Sequence, residues 1–215
     1  MQYISTRGSA PSLNFTEALL TGLASDGGLY VPAVWPAFDK SELRALANAS
    51  YAEIAAAVLA RFVGDTISEA DLQKDITDAY ARFRHQAVVP LVQMDDSDWM
   101  LELFHGPTLA FKDVALQLLG LLFEKFLEKR ERPLTIIGAT SGDTGSAAIH
   151  AVAGREGVEI FMLHPEGRVS EIQRRQMTTV SAANVHNIAI AGSFDDAQAH
   201  VKRMFADSVL TDRLD

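Results

Sequence analysis

Two short stretches of this chain carry residue types able to do chemistry. The first is His105-Gly106-Pro107-Thr108-Leu109-Ala110-Phe111-Lys112-Asp113. It sets Lys112 between two apolar flanks, Leu109-Ala110-Phe111 and Val114-Ala115-Leu116. Apolar surroundings disfavour the charged form of a lysine and release a free amine that can serve as nucleophile or base. Such an amine condenses with an aldehyde cofactor. A lysine at a strand end, its stem on apolar surface and its head in water, fits the same local sequence. The second stretch starts with Leu134-Thr135-Ile136-Ile137-Gly138 and runs into Ala139-Thr140-Ser141-Gly142-Asp143-Thr144-Gly145-Ser146. A strand, a glycine-rich turn and a helix in succession make an anion site. Helix N-terminal N–H groups point outward there, the dipole adds partial positive charge, and glycine lets a ligand come close. The hydroxyls of Thr140, Ser141 and Thr144 add donors. A plain strand-to-helix turn, with glycine for geometry and Ser or Thr as cap, has the same composition. The spacing matches neither the P-loop nor the dinucleotide fingerprint, which counts against ATP and NAD.

These stretches need elements to position them. Residues 1–86 read as mainly helical after a short extended start. Ser41 and Ser50 are expected to open helices, and Ser68 before Glu69-Ala70-Asp71 is a capping pattern. Leu72, Ile76, Ala79, Tyr80 and Phe83 then recur at helical spacing. Asp26-Gly27-Gly28-Leu29-Tyr30-Val31-Pro32 reads as a tight turn into a strand. Strands are expected over 88–94 and 99–104, joined by an Asp95-Asp96-Ser97-Asp98 hairpin loop. After Lys112 the pattern is helical and ends in a charged segment, 124–132. Leu116, Leu119, Leu122, Phe123 and Phe126 form one face, with Leu118 and Leu121 apolar as well, so that helix should be buried in a larger body. From Pro133 the chain alternates: strands over 134–138, 158–163 and 185–190, and helices over 144–153, 170–180 and 194–206, the last capped by Ser193 and Asp196. A βαβαβα order implies an α/β fold with a parallel sheet and covering helices.

Composition narrows the class. Of 215 residues, 48% are hydrophobic, enough for a real core, and 22% are charged. The formal net charge of -9 argues against nucleic acid or an anionic membrane surface as the main partner. It leaves room for an anionic small substrate in a locally positive pocket. The absence of cysteine excludes disulfides and thiolate metal sites and permits a reducing compartment. The N-terminus has no apolar signal core, and no stretch is long enough to span a bilayer, so the reading is a soluble cytoplasmic protein.

Taken together, the lysine segment and Ser141-Gly142-Asp143-Thr144-Gly145 resemble the threonine synthases, pyridoxal-phosphate enzymes of the tryptophan-synthase-β-like group, fold type II. Tyr3-Ile4-Ser5-Thr6-Arg7-Gly8, Phe15-Thr16-Glu17-Ala18-Leu19-Leu20 and Gly27-Gly28-Leu29-Tyr30-Val31-Pro32 are similar to the family's N-terminal signatures. Pro165-Glu166-Gly167-Arg168-Val169-Ser170, with Gln173 and Gln176-Met177, fits a further segment. The resemblance covers essentially the whole chain in order. It implies an N-terminal helical domain over 1–86, the start of the large cofactor domain over 87–132, and a Rossmann-like small α/β domain over 133–215. It implies pyridoxal 5′-phosphate as cofactor. The reaction it implies is O-phospho-L-homoserine plus water giving L-threonine and phosphate. Lys112 would hold the cofactor in Schiff-base linkage and then shuttle protons. Asp143 would face the cofactor, and Ser141, Gly142 and Thr144 would bind the substrate carboxylate, with Thr140 a weaker candidate. Arg7, His105 and Arg168 are cationic or potentially cationic candidates near the substrate phosphate.

The chain departs from the family in length, at roughly half. The group's second glycine-rich loop, which holds the cofactor phosphate, has no counterpart, since no glycine follows Gly192. The expectation is an N-terminal fragment with weak cofactor binding and little turnover by itself. A related phospholyase that releases phosphate without making threonine is an alternative. A binding or assembly module that keeps the motifs without catalysis is another. The sequence gives no oligomeric state.

Overall fold

The computed structural model describes residues 1–128, 133–207 and 209–210. The charged end of the 124–132 segment and the last five residues lie outside them. The chain forms two compact units, Met1–Asp78 and Ala79–Asp215.

In the first unit, β1 (Tyr3–Ser5) pairs antiparallel with β2 (Tyr30–Pro32), Ile4 opposite Val31. Helices α1 (Phe15–Thr21), α2 (Lys40–Ala45) and α3 (Tyr51–Val63) each begin with a reciprocal capping box, in which cap and third residue satisfy each other's N–H. The boxes are Asn14 with Glu17, Asp39 with Glu42, and Ser50 with Glu53. Ser50 was expected. At α2 the cap is Asp39 rather than Ser41, because its carboxylate accepts the N–H of both Ser41 and Glu42 at 2.7 and 2.9 Å. The helix α4 (Glu69–Tyr80) follows, with Ser68 Oγ accepting the Asp71 N–H. Of the expected apolar stripe, Leu72, Ile76 and Ala79 are buried and Tyr80 is half-buried, while Phe83, also buried, lies beyond the end of the helix. The Asp26 turn is held by one carboxylate, which accepts Ser5 Oγ–H and the N–H of Ser9, Ala10 and Gly28. The Ser5 bond leads in lowering its pKa to about 2.

In the second unit, β3 (Leu91–Gln93) and β4 (Trp99–Leu101) make an antiparallel hairpin closed by Met94 N–H on the Asp98 carbonyl. Both strands are shorter than expected, and their side chains are exposed on both faces. The helix α5 (Asp113–Leu127) follows. Then β5 (Leu134–Ala139), α6 (Asp143–Val152), β6 (Val158–Pro165), α7 (Glu171–Thr178), β7 (Val185–Ile190) and α8 (Phe194–Ala206) alternate. The three strands form a parallel sheet in the order β5-β6-β7. Central β6 contributes Val158, Ile160, Met162 and Leu163 to the core. Buried Asn184 fastens the end of α6 to the sheet, donating to the carbonyls of Val152 and Val158 and accepting the Gly154 N–H.

The helix α5 is buried, though not on the face that its apolar residues mark. Of Leu116, Leu119, Leu122, Phe123 and Phe126, only Leu122 is fully buried. The buried positions are Asp113, Gln117, Leu118, Gly120, Leu122 and Leu127. Two are polar and hydrogen-bonded: Gln117 accepts from Arg82 at 3.0 Å, and Asp113 anchors the turn before the helix. An apolar count cannot register burial bought by hydrogen bonds.

Candidate active site

Two turns supply the candidate residues, one before α5 and one before α6. In the first, Thr108 is 5% exposed and Asp113 is fully buried. A buried carboxylate is costly unless hydrogen-bonded. Asp113 accepts the Thr108 N–H at 2.8 Å and the Thr108 Oγ1–H at 2.9 Å, with Gln117 Nε2 at 3.4 Å. Leu109 then takes the left-handed conformation, with φ of 64°. That turn leaves Leu109 and Phe111 facing water and buries Ala110. Lys112 is therefore not enclosed by its apolar neighbours. It sits at the start of a helix rather than at a strand end, with its side chain 25% exposed. Its ammonium lies 4.1 Å from the centroid of the Phe111 ring.

In the second turn, Thr140 is buried and its Oγ1 accepts the N–H of Gly142 at 3.0 Å and of Gly145 at 2.8 Å. Its oxygen is thus committed to capping α6. The same bond turns the Gly142 N–H inward. Gly142 has φ of 144°, a conformation that favours glycine, and the side chain of Gln173 packs over it. Asp143 opens α6. Its Oδ1 accepts the Thr144 N–H at 2.9 Å, and its Oδ2 accepts from Lys112 Nζ at 3.0 Å. The Lys112 hydrogen bond leads in holding the Asp143 carboxyl below the usual carboxylate range. Ser141 and Thr144 are exposed beside this pair, and among the described residues neither hydroxyl is hydrogen-bonded within the protein.

The structure thus brings Lys112 and Asp143 into direct contact, with Ser141, Gly142 and Thr144 on the same turn as Asp143. His105, at the head of the lysine turn, pairs its Nε2 with Glu102 Oε2 at 2.7 Å and packs its ring near those of His85 and Phe104. Arg168 is exposed. Arg7 lies in the first unit, donating to the Asp26 carbonyl at 2.9 Å. Among the described residues, no group of three or more His, Cys, Asp or Glu could hold a metal ion. Sequence reasoning missed Asp113 as an anchor and Gln176 as its counterpart on α7, where Nε2 donates to the Thr108 carbonyl at 3.0 Å.

An amine held against a carboxylate at the open starts of two helices suits attachment of an aldehyde, and comparison with known proteins points the same way. Residues 89–212 match the family described as pyridoxal-phosphate dependent enzyme, and residues 2–80 match the threonine synthase N terminus. The chain belongs to the pyridoxal-phosphate-dependent enzyme family, whose cofactor gives it its name. The relatives it resembles include threonine synthases. It is 56% identical over 207 residues to the threonine synthase of Pseudomonas aeruginosa, covering 96% of this chain and 44% of that protein. The structure of pyridoxal-phosphate-bound threonine synthase from Brucella melitensis superposes with a TM-score of 0.94 at 54% identity, covering 100% of this chain and 46% of that one. For threonine synthase from yeast the TM-score is 0.90 at 44% identity, covering 97% and 44%. The fold is that of the fold type II enzymes. The chain spans less than half the length of these relatives. No helix among the described residues is long and apolar enough to cross a membrane.

Proposed function

We propose that this chain supplies the lysine-bearing half of a threonine synthase site, for conversion of O-phospho-L-homoserine and water to L-threonine and phosphate. The observation that carries the reading is the Lys112–Asp143 pair, 3.0 Å apart within the two motifs that match threonine synthases. The residues suit the aldehyde end of pyridoxal phosphate: the amine is partly exposed, and a carboxylate beside it can hold its proton. Bound there, the cofactor supplies an aldehyde for amines and a ring that accepts electrons from the adjacent carbon. Lys112 Nζ is the atom that bonds the aldehyde and, once released, moves protons between substrate carbons. Asp143 Oδ2 holds the Nζ proton and orients the amine. The Phe111 ring shields one side of Nζ from water. Ser141 Oγ and Thr144 Oγ1 donate to the substrate carboxylate, where the N-terminus of α6 favours negative charge. The acidic, cysteine-free composition supports a cytoplasmic setting with a small-molecule substrate rather than nucleic acid or membrane.

The test is pyridoxal phosphate binding to the purified chain, borohydride reduction and peptide mapping. The expected result is a pyridoxyl adduct on Lys112 at low cofactor excess, absent in Lys112→Ala. Adducts scattered over surface lysines would overturn the assignment. Threonine measured beside released phosphate separates this reaction from that of a phospholyase making no threonine.

A further inference from the structure

Both ends of the lysine turn are held, yet only one holder is part of the motif that carries Lys112. Thr108 has three polar groups and all are engaged. Asp113 accepts its N–H and its hydroxyl, and Gln176 donates to its carbonyl. Gln176 is 68 residues away in sequence, on α7. The same helix reaches the opposite turn. The side chain of Gln173 packs over Gly142, and the Gln173 carbonyl accepts from Ser146 Oγ at 3.4 Å. The Gln176 carbonyl also lies 3.2 Å from His150 Nε2 on α6. One helix therefore braces the turn bearing Lys112 and the turn bearing Asp143. Between Thr108 and Lys112 stands Leu109, in a left-handed conformation that a branched side chain keeps only where its surroundings over-determine it. The bonds on Thr108 hold the residue immediately before it.

We propose that Thr108, gripped by buried Asp113 on one side and by Gln176 of α7 on the other, is a positioning residue that sets how Lys112 Nζ meets Asp143. Neither Thr108 nor Gln176 touches the reacting atoms. The significance of the proposal rests on Lys112 being the working amine, but its test needs no cofactor.

The experiment is a carbon-13 NMR titration of the Asp143 carboxyl in the 215-residue chain. In the wild type the Lys112 hydrogen bond keeps the midpoint below the ordinary range. Gln176→Met keeps length and bulk but removes the donor, and Thr108→Val removes the hydroxyl. Both should raise the midpoint toward the value of about 3.9 of an unperturbed aspartate. Thr108→Ser should restore the wild-type midpoint. Thr178→Val, which removes a hydroxyl bonded only within α7, should leave it unchanged. A wild-type midpoint in Gln176→Met with an intact near-UV spectrum would overturn the proposal. So would an equal shift in Thr178→Val, or an ordinary midpoint in the wild type. If Thr108→Val fails to fold, Gln176→Met decides alone. Missing adduct on Lys112 with an intact Asp143 response would sink the functional reading and leave the positioning role standing.

Discussion

The turn that carries Lys112 and the turn that carries Asp143 meet at the starts of α5 and α6, yet they are held by different chemistry. The lysine turn is fixed by a fully buried carboxylate, Asp113, and by a side chain from a distant helix. The glycine-rich turn, also touched by α7 through Gln173, takes its shape from a neutral hydroxyl within it, Thr140, and from a glycine at positive φ. A buried charge makes the first turn expensive to disturb, because its partners are left without an acceptor in a place water does not reach. The second turn concentrates its requirement in backbone shape. A protein can thus place an amine through a polar network and its partner carboxylate through stereochemistry.

The sharpest way to break this contrast is Asp113→Ala. It strands two Thr108 donors and should cost about 3 kcal/mol, read from urea unfolding. Gly142→Ala comes next, at about 2 kcal/mol for backbone strain and collision with Gln173. A double-mutant cycle with Gln173→Ala should recover the collision and leave the strain, so full recovery would mean that shape is not what fixes this turn. Thr140→Val should cost about 1 kcal/mol, the worth of a helix cap. A Thr140→Val loss as large as that of Asp113→Ala would erase the distinction between the turns. The smallest effect belongs to Asp143→Asn, a half-exposed pair worth no more than about 1 kcal/mol at neutral pH. Its sign is informative. The folded-state pKa of Asp143 is lowered, so its contribution is present above the unfolded value of about 3.9 and lost as pH falls through the lower folded value. The stability gap between wild type and Asp143→Asn should therefore close in acid, as followed by chemical unfolding across that window.

Elements whose signals are local were legible in the sequence. The bounds of β7 and α8 are as read, because Ser193 and Asp196 cap α8 within one turn. The parallel sheet followed from alternation alone. The strands around the hairpin came out short because Val88 takes a left-handed conformation (φ 59°) and pairing begins only at Leu91. The two candidate turns were found from their composition, but not how they are held. Asp113 reads as an ordinary acidic start to a helix, and nothing local links Gln176 to Thr108. The apolar flanks of Lys112 suggested enclosure, and a single left-handed residue, Leu109, turns part of that flank to solvent.

Gly120 gives the pair of helices a further property. A side chain at this position would overlap the Ala151 carbonyl, so α5 and α6 touch backbone to backbone there. Eight residues along each helix from the site, the contact lies about 12 Å from Lys112 and from Asp143 at 1.5 Å of rise per residue. The same two helices also meet at their starts, where Lys112 Nζ lies 3.0 Å from Asp143 Oδ2. A methyl group at position 120 would push the two backbones apart, so the packing of α5 on α6 depends on a residue with no side chain of its own.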